Sequence, residues 1–169
     1  MFKKKEAPAL KSKIKGNVLL VERVFDAPRE LVFQAYSEAE HLVKWWGPAG
    51  WSLKACNVDF RAGGAWHYCL EASDEQTRSW GKSVYRDISV PDKIVYGDYV
   101  SDEDGSVNED RVIIVTLAFA EEKGKTKLIN RAEFVSSGAL KRTVELGLVG
   151  GISQTWDRLA QYLRGIQTS

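Results

Sequence analysis

The feature that most constrains this chain is its last long stretch, residues 138–165. It is the one segment with a sustained helical period. Ile152, Trp156, Leu159 and Leu163 recur at the spacing that puts them on one face, and Asp157, Arg158, Gln161 and Arg164 lie off that stripe. Nearly everything before it reads as strand. A sheet with one apolar face must bury that face against something, and this is the one long helix available. The expected fold is therefore α+β: an antiparallel sheet built first, then closed around a C-terminal helix.

The first half of that helix carries Gly147, Gly150 and Gly151. Each costs about 1 kcal/mol relative to Ala in a helix interior. Two readings stand side by side. The glycines line a space between helix and sheet, or they mark a kink and the helix proper starts near Ser153.

The order of elements is β, α, α, six strands, α. Residues 17–25 form the first strand. Asp26 is placed to cap a short helix, with Pro28 just inside its start, running to about Ser37. Residues 38–45 form a second short helix, with Leu42 and Trp45 turned inward, broken by Gly47, Pro48 and Gly50. Strands follow at 52–60, 65–72, 80–90, 93–100, 110–119 and 125–134. On the 65–72 strand Trp66, Tyr68 and Leu70 share one face, and Ala65, His67, Cys69 and Glu71 share the other. A turn centred on Ala62-Gly63 would set Cys56 directly opposite Cys69.

One domain suits the length. Residues 16–169 are expected to form it, preceded by a basic, flexible arm over residues 1–15. With 24 Lys plus Arg against 23 Asp plus Glu, the net charge is +1. That balance gives no support for a nucleic-acid-binding or membrane-binding surface. The arm has no apolar run behind it, so it does not read as a secretory signal, and no stretch is apolar enough to span a membrane. Two cysteines are too few for a disulfide scaffold, so reduced thiols and a cytoplasmic location are expected.

No cofactor or metal motif is present. The two His and two Cys do not show metal-ligand spacing, and the acidic loop at Asp102-Glu103-Asp104-Gly105 has its glycine in the wrong place for calcium. His67 and Cys69 share a strand face without forming a recognised catalytic signature. No catalytic residues are assigned. What stands out instead is aromatic content: six Trp, six Tyr and six Phe, 11% of the chain. Aromatic side chains fill cores and also line apolar pockets. Trp46, adjacent to the inward Trp45, is aimed elsewhere, toward a cavity mouth. Arg61 and Arg131 are candidate anchors for an acidic group.

Three blocks resemble a known family. They are Arg23-Val24-Phe25-Asp26-Ala27-Pro28-Arg29-Glu30-Leu31-Val32-Phe33, then Glu40-His41-Leu42-Val43-Lys44-Trp45-Trp46-Gly47-Pro48, then Asp59-Phe60-Arg61-Ala62-Gly63-Gly64-Ala65-Trp66. Weaker echoes are Tyr85-Arg86-Asp87-Ile88, Pro91-Asp92-Lys93-Ile94-Val95-Tyr96 and Trp156-Asp157-Arg158-Leu159. Over residues 16–163 the chain resembles the bacterial proteins similar to the C-terminal domain of the activator of the heat-shock-protein-90 ATPase. Those proteins belong to the START-like, or Bet v 1-like (SRPBCC), superfamily. The resemblance implies a helix-grip fold of about seven strands around the long helix, with two short helices closing one end and an apolar cavity between sheet and helix. It departs where the family usually has Gly-Trp: here the pair is Gly151-Ile152, and Trp156 stands where Leu is common.

Three functions follow from these expectations. The first is a module that binds a small apolar molecule, with Trp46, Trp66, Tyr68, Tyr85, Gly147, Gly150, Gly151 and Trp156 as ligand-binding residues. The second is a partner of a chaperone ATPase. The third is a cyclase- or hydrolase-type enzyme working in the same cavity.

Overall fold

The computed structural model describes residues 10–168. Eight antiparallel strands form one curled sheet in the order β1-β2-β8-β7-β6-β5-β4-β3. They are β1 (Lys11–Lys15), β2 (Val18–Phe25), β3 (Trp51–Val58), β4 (Ala65–Ala72), β5 (Arg78–Ser89), β6 (Lys93–Val100), β7 (Ile113–Glu122) and β8 (Lys125–Glu133). From β3 to β8 each strand pairs with the next. The exception is β2, which pairs with the last strand and not with β3. The chain crosses from β2 to the far edge through α1 (Arg29–Ser37) and α2 (Ala39–Trp45). That crossing is why two short helices close one end.

The sheet has one strand more than the sequence suggests. Lys11–Lys15 continues the sheet as an edge strand, with Ile14 opposite Leu19. Its residues are all exposed, and lysines on an edge strand discourage pairing with another chain. The part of the expected arm over residues 1–9 lies outside the described residues. The start of α1 also differs. Pro28, not Asp26, is its N-cap, and no side chain caps it.

Alternation along the strands fixes the concave face. β2 reads half-buried and buried in strict turn, and Leu19, Val21, Arg23 and Phe25 point inward. The same logic turns Trp66 and Tyr68 inward from β4, Tyr96 from β6, Val115 and Leu117 from β7, and Leu128 and Ala132 from β8. Bulges at Leu53/Ala55 and at Tyr85/Asp87 break the period. The second keeps Tyr85 and Ile88 on the same face, and both deepen the curl.

The register of β3 against β4 corrects the expected cysteine pairing. Cys56 lies opposite Tyr68, and Cys69 lies opposite Ala55. The hairpin is centred on Ala62 instead of Ala62-Gly63, with the Asp59 N–H donating to the Ala65 carbonyl at 2.9 Å. The physical reason is that β5 claims the end of the turn. Gly63 N–H donates to the Tyr85 carbonyl and the Tyr85 N–H donates to the Gly64 carbonyl, each at 2.9 Å. Gly64 is pressed so close to the Asp59 carbonyl that a Cβ would stand 2.2 Å from it. A one-residue shift sends a side chain to the other face. Cys56 faces inward, accepting from the Trp66 indole N–H at 3.3 Å, while Cys69 faces outward. Both thiols are free.

The long helix is two helices. α3 (Ser137–Glu145) opens on Ser136, whose side chain accepts from the Ala139 N–H at 3.0 Å. It stops at Leu146, and Gly147 follows with φ +100°, a left-handed conformation that favours glycine. α4 (Leu148–Thr168) then crosses the concave face. Trp156, Leu159 and Leu163 are fully buried on it. Ile152, one turn earlier, is only half-buried, because packing there gives way to open space.

Candidate functional site

Three consecutive residues of α4 tie the structure to the blocks singled out in the sequence. The Trp156 indole N–H donates to the Tyr36 hydroxyl on α1 at 2.8 Å. Asp157 accepts from the buried Arg23 of β2 at 2.6 Å, and that guanidinium also lies over the Phe25 ring. Nη1 of Arg158 sits among the carbonyls of Trp46, Gly47, Pro48 and Trp51, at 2.7–3.4 Å. The 156–158 triplet thereby fixes β2, α1 and the 46–51 loop around the helix.

Above this belt the helix and sheet part. A cavity of about 390 Å³ lies between the start of α4, the end of α3, the 46–48 loop and the inner face of the sheet. Its walls are mostly apolar, with Leu19, Val115 and Phe134 on the sheet side and Ile152 on the helix side. The exposed Leu146 and Gly147 stand at its rim. Both readings of the helix glycines hold a share. Gly147 makes the break, and Gly147 and Gly151 line the cavity.

Of the other expected residues, Trp46, Tyr68 and Trp156 line the same cavity. Trp46 packs edge-on against Trp66 and Tyr68, with ring centroids 4.7 and 5.9 Å away. Trp66 and Tyr85 sit deeper, around a separate void of about 10 Å³ shared with Tyr36 and Tyr96. Gly150 is exposed and lines neither space, since successive helix residues point about 100° apart. Arg61 pairs with Asp59 and Arg131 pairs with Glu133, both exposed, so neither reaches the cavity. Arg131 points outward because its neighbour Asn130 points in.

Two features of the site escaped the sequence reading. The first is Gly81, on β5 opposite Tyr68. A Cβ there would meet the Tyr68 ring at 2.4 Å, so its absence is what allows that ring to lie across β5. The second is Asp98. It continues the inward face of β6 after Ile94 and Tyr96, directly opposite Ser83 and Ile113. The period-two pattern of Ile94, Tyr96 and Asp98 carried this signal: a charged residue extending an apolar face. Burial pushes its carboxyl up to about 7, against a stabilising N–H from Tyr99. Tyr36, Tyr68 and Tyr96 are raised by burial as well, so their hydroxyls stay neutral.

Among the described residues, no group of His, Cys, Asp and Glu is arranged to hold a metal ion. No described helix is long and apolar enough to cross a membrane.

A family model settles the kinship: that of the activator of Hsp90 ATPase homolog 1-like proteins matches residues 26–164. The chain belongs to this family. Solved structures of the same architecture include a Staphylococcus epidermidis protein, 29% identical with a TM-score of 0.80, over 91% of this chain and 93% of that one. Another is Ms6760 from Mycobacterium smegmatis, 24% identical with a TM-score of 0.81, covering 92% of this chain and 95% of that one. A protein from Arthrobacter aurescens is 21% identical with a TM-score of 0.82, over 93% of this chain and 91% of that one. No curated protein matches the chain. The family match begins at Asp26 and ends at Arg164, so it takes in α1, the 46–48 loop and most of α4.

Proposed function

We propose that this chain is a START-like binding module that holds a small apolar molecule in the cavity between the sheet and α4, and that it works in the cytoplasm with both thiols reduced. The observation that carries the reading is the cavity itself. Folded interiors are packed to the density of organic crystals, and voids larger than a water molecule are few. A space of about 390 Å³ with mostly apolar walls falls in the range of small-molecule sites. The family's other association, with a chaperone ATPase, rests on its description alone.

Trp46, Tyr68 and Trp156 form the aromatic part of the proposed site, and Gly147 and Gly151 keep its helical wall open. Native mass spectrometry of protein purified from its source should reveal a co-purifying small molecule. An apolar dye should quench tryptophan fluorescence, because Trp46 and Trp156 line the space. Gly151→Leu is the discriminating variant. A Cβ at Gly151 meets nothing within 4 Å, so a leucine can grow into the cavity without a clash. The variant should fold and lose the quenching. Undiminished dye binding by Gly151→Leu would overturn the proposal.

A further inference from the structure

Among the described residues lining the cavity, Asp98 is the one that carries a charge, and no Lys, Arg or His joins it there. Among the described residues no ion pair reaches it. Its carboxylate accepts the Tyr99 N–H, and its side chain lines the cavity. Of the other polar side chains lining the cavity, Asn130 is neutral and the two threonine hydroxyls are occupied. Thr143 donates to the Ala139 carbonyl and Thr155 to the Gly151 carbonyl, each at 2.8 Å. The buried cation of β2, Arg23, is taken by Asp157. A carboxylate in an apolar enclosure without a cation of its own is costly to keep charged. The aromatic residues Trp46, Tyr68 and Tyr96 border the same space, and a ring face turned to it attracts a positive charge.

We propose that the ligand of this cavity is an apolar amine, bound with its ammonium group on Asp98 and its hydrocarbon part against the aromatic and aliphatic wall. This rests on the binding-module reading and adds the ligand's charge. The same geometry excludes carboxylates such as fatty acids, whose charge would face Asp98 without a counter-ion. The titratable groups that share the cavity with Asp98 are the tyrosines Tyr36, Tyr68 and Tyr96, which burial keeps neutral. β7, β8, α3 and α4 present no titratable side chain to the cavity. Asp98 therefore governs the charge of the site.

The test compares three probes of one chain length by titration calorimetry at about pH 8, with the carboxylate ionised: octylamine, octanol and octanoate. Octylamine should bind about 10- to 100-fold more tightly than octanol, the range of a hydrogen bond to a charged group. Octanoate should bind more weakly than octanol. Asp98→Asn should make octylamine and octanol equivalent. A second measurement needs no variant: octylamine affinity of the unaltered protein should rise with pH through about 7, while octanol affinity stays level. Octanol binding as well as octylamine, or octanoate binding best, would overturn the amine and leave the binding module standing. Failure of all three probes to bind would overturn both.

Discussion

Trp156→Ala tests the belt that closes the sheet on α4. The side chain is 2% exposed, its ring meets Phe25 edge-on at 5.7 Å, and its indole N–H donates to Tyr36. Truncating a buried tryptophan to alanine costs about 3–5 kcal/mol. Two local effects move the value within that range in opposite directions. Part of the ring borders the existing cavity, so fewer packing contacts are lost there. The Tyr36 hydroxyl, itself buried, loses its donor, and an orphaned polar group costs about 1–3 kcal/mol. The two roughly offset, and a loss of about 4 kcal/mol is expected. Trp156→Phe separates them: it keeps most of the apolar contact and removes the donor, so about 1–3 kcal/mol should be lost. Urea denaturation followed by far-ultraviolet circular dichroism measures both, because a tryptophan signal would change with the substitution itself. The slope against denaturant should be unchanged. An Ala variant less than about 1 kcal/mol weaker than the original at the same slope refutes the argument that α4 is seated through this ring.

Three other outcomes can be checked. Gly81→Ala puts a methyl group into the Tyr68 ring and should cost about 1–3 kcal/mol in the same denaturation experiment; a neutral result would mean that Tyr68 moves freely. Arg158→Met removes the clamp on the 46–51 carbonyls, so hydrogen exchange should quicken across that loop while the sheet keeps its protection. Asp98 keeps its proton to about 7 in the fold against 3.8 for an ordinary aspartate side chain, so between those values the folded state binds more protons than the unfolded state. Its contribution to stability is full below 3.8 and is lost as pH rises through about 7. Urea midpoints at about pH 5 and about pH 8.5 should differ less in Asp98→Asn than in the unaltered protein, and equal differences would contradict this account.

Much of the site was legible wherever a side chain's direction follows from a short period. Trp66 and Tyr68 turn inward because they alternate with His67 and Cys69, and Trp156, Leu159 and Leu163 are buried because they share one helical face. Trp46 could be assigned a different direction from Trp45 for the same local reason. Asp98 was legible in principle, as the third member of an inward series, yet its charge marks it as a surface residue when read alone. Gly81 was not legible. Nothing in residues 78–89 announces that a tyrosine ring from another strand will lie across that position.

The sequence by itself determined the order of the elements apart from the edge strand β1 and the break between α3 and α4, the antiparallel sheet closed by a C-terminal helix, the inward set on most strands and the family. Those follow from local periods and short motifs, which act over one or two turns of chain. Only the tertiary structure decided the rest. The hairpin centre moved to Ala62 because β5 binds the backbone of Gly63 and Gly64, and this separated Cys56 from Cys69 onto opposite faces. The helix broke at Gly147 and left Gly151, not Gly150, against the open space. The cavity exists where the first turns of α4 stand away from the sheet while Trp156, Asp157 and Arg158 hold the helix down further along. Such a space is a difference between distant surfaces, and no local pattern in one segment encodes it.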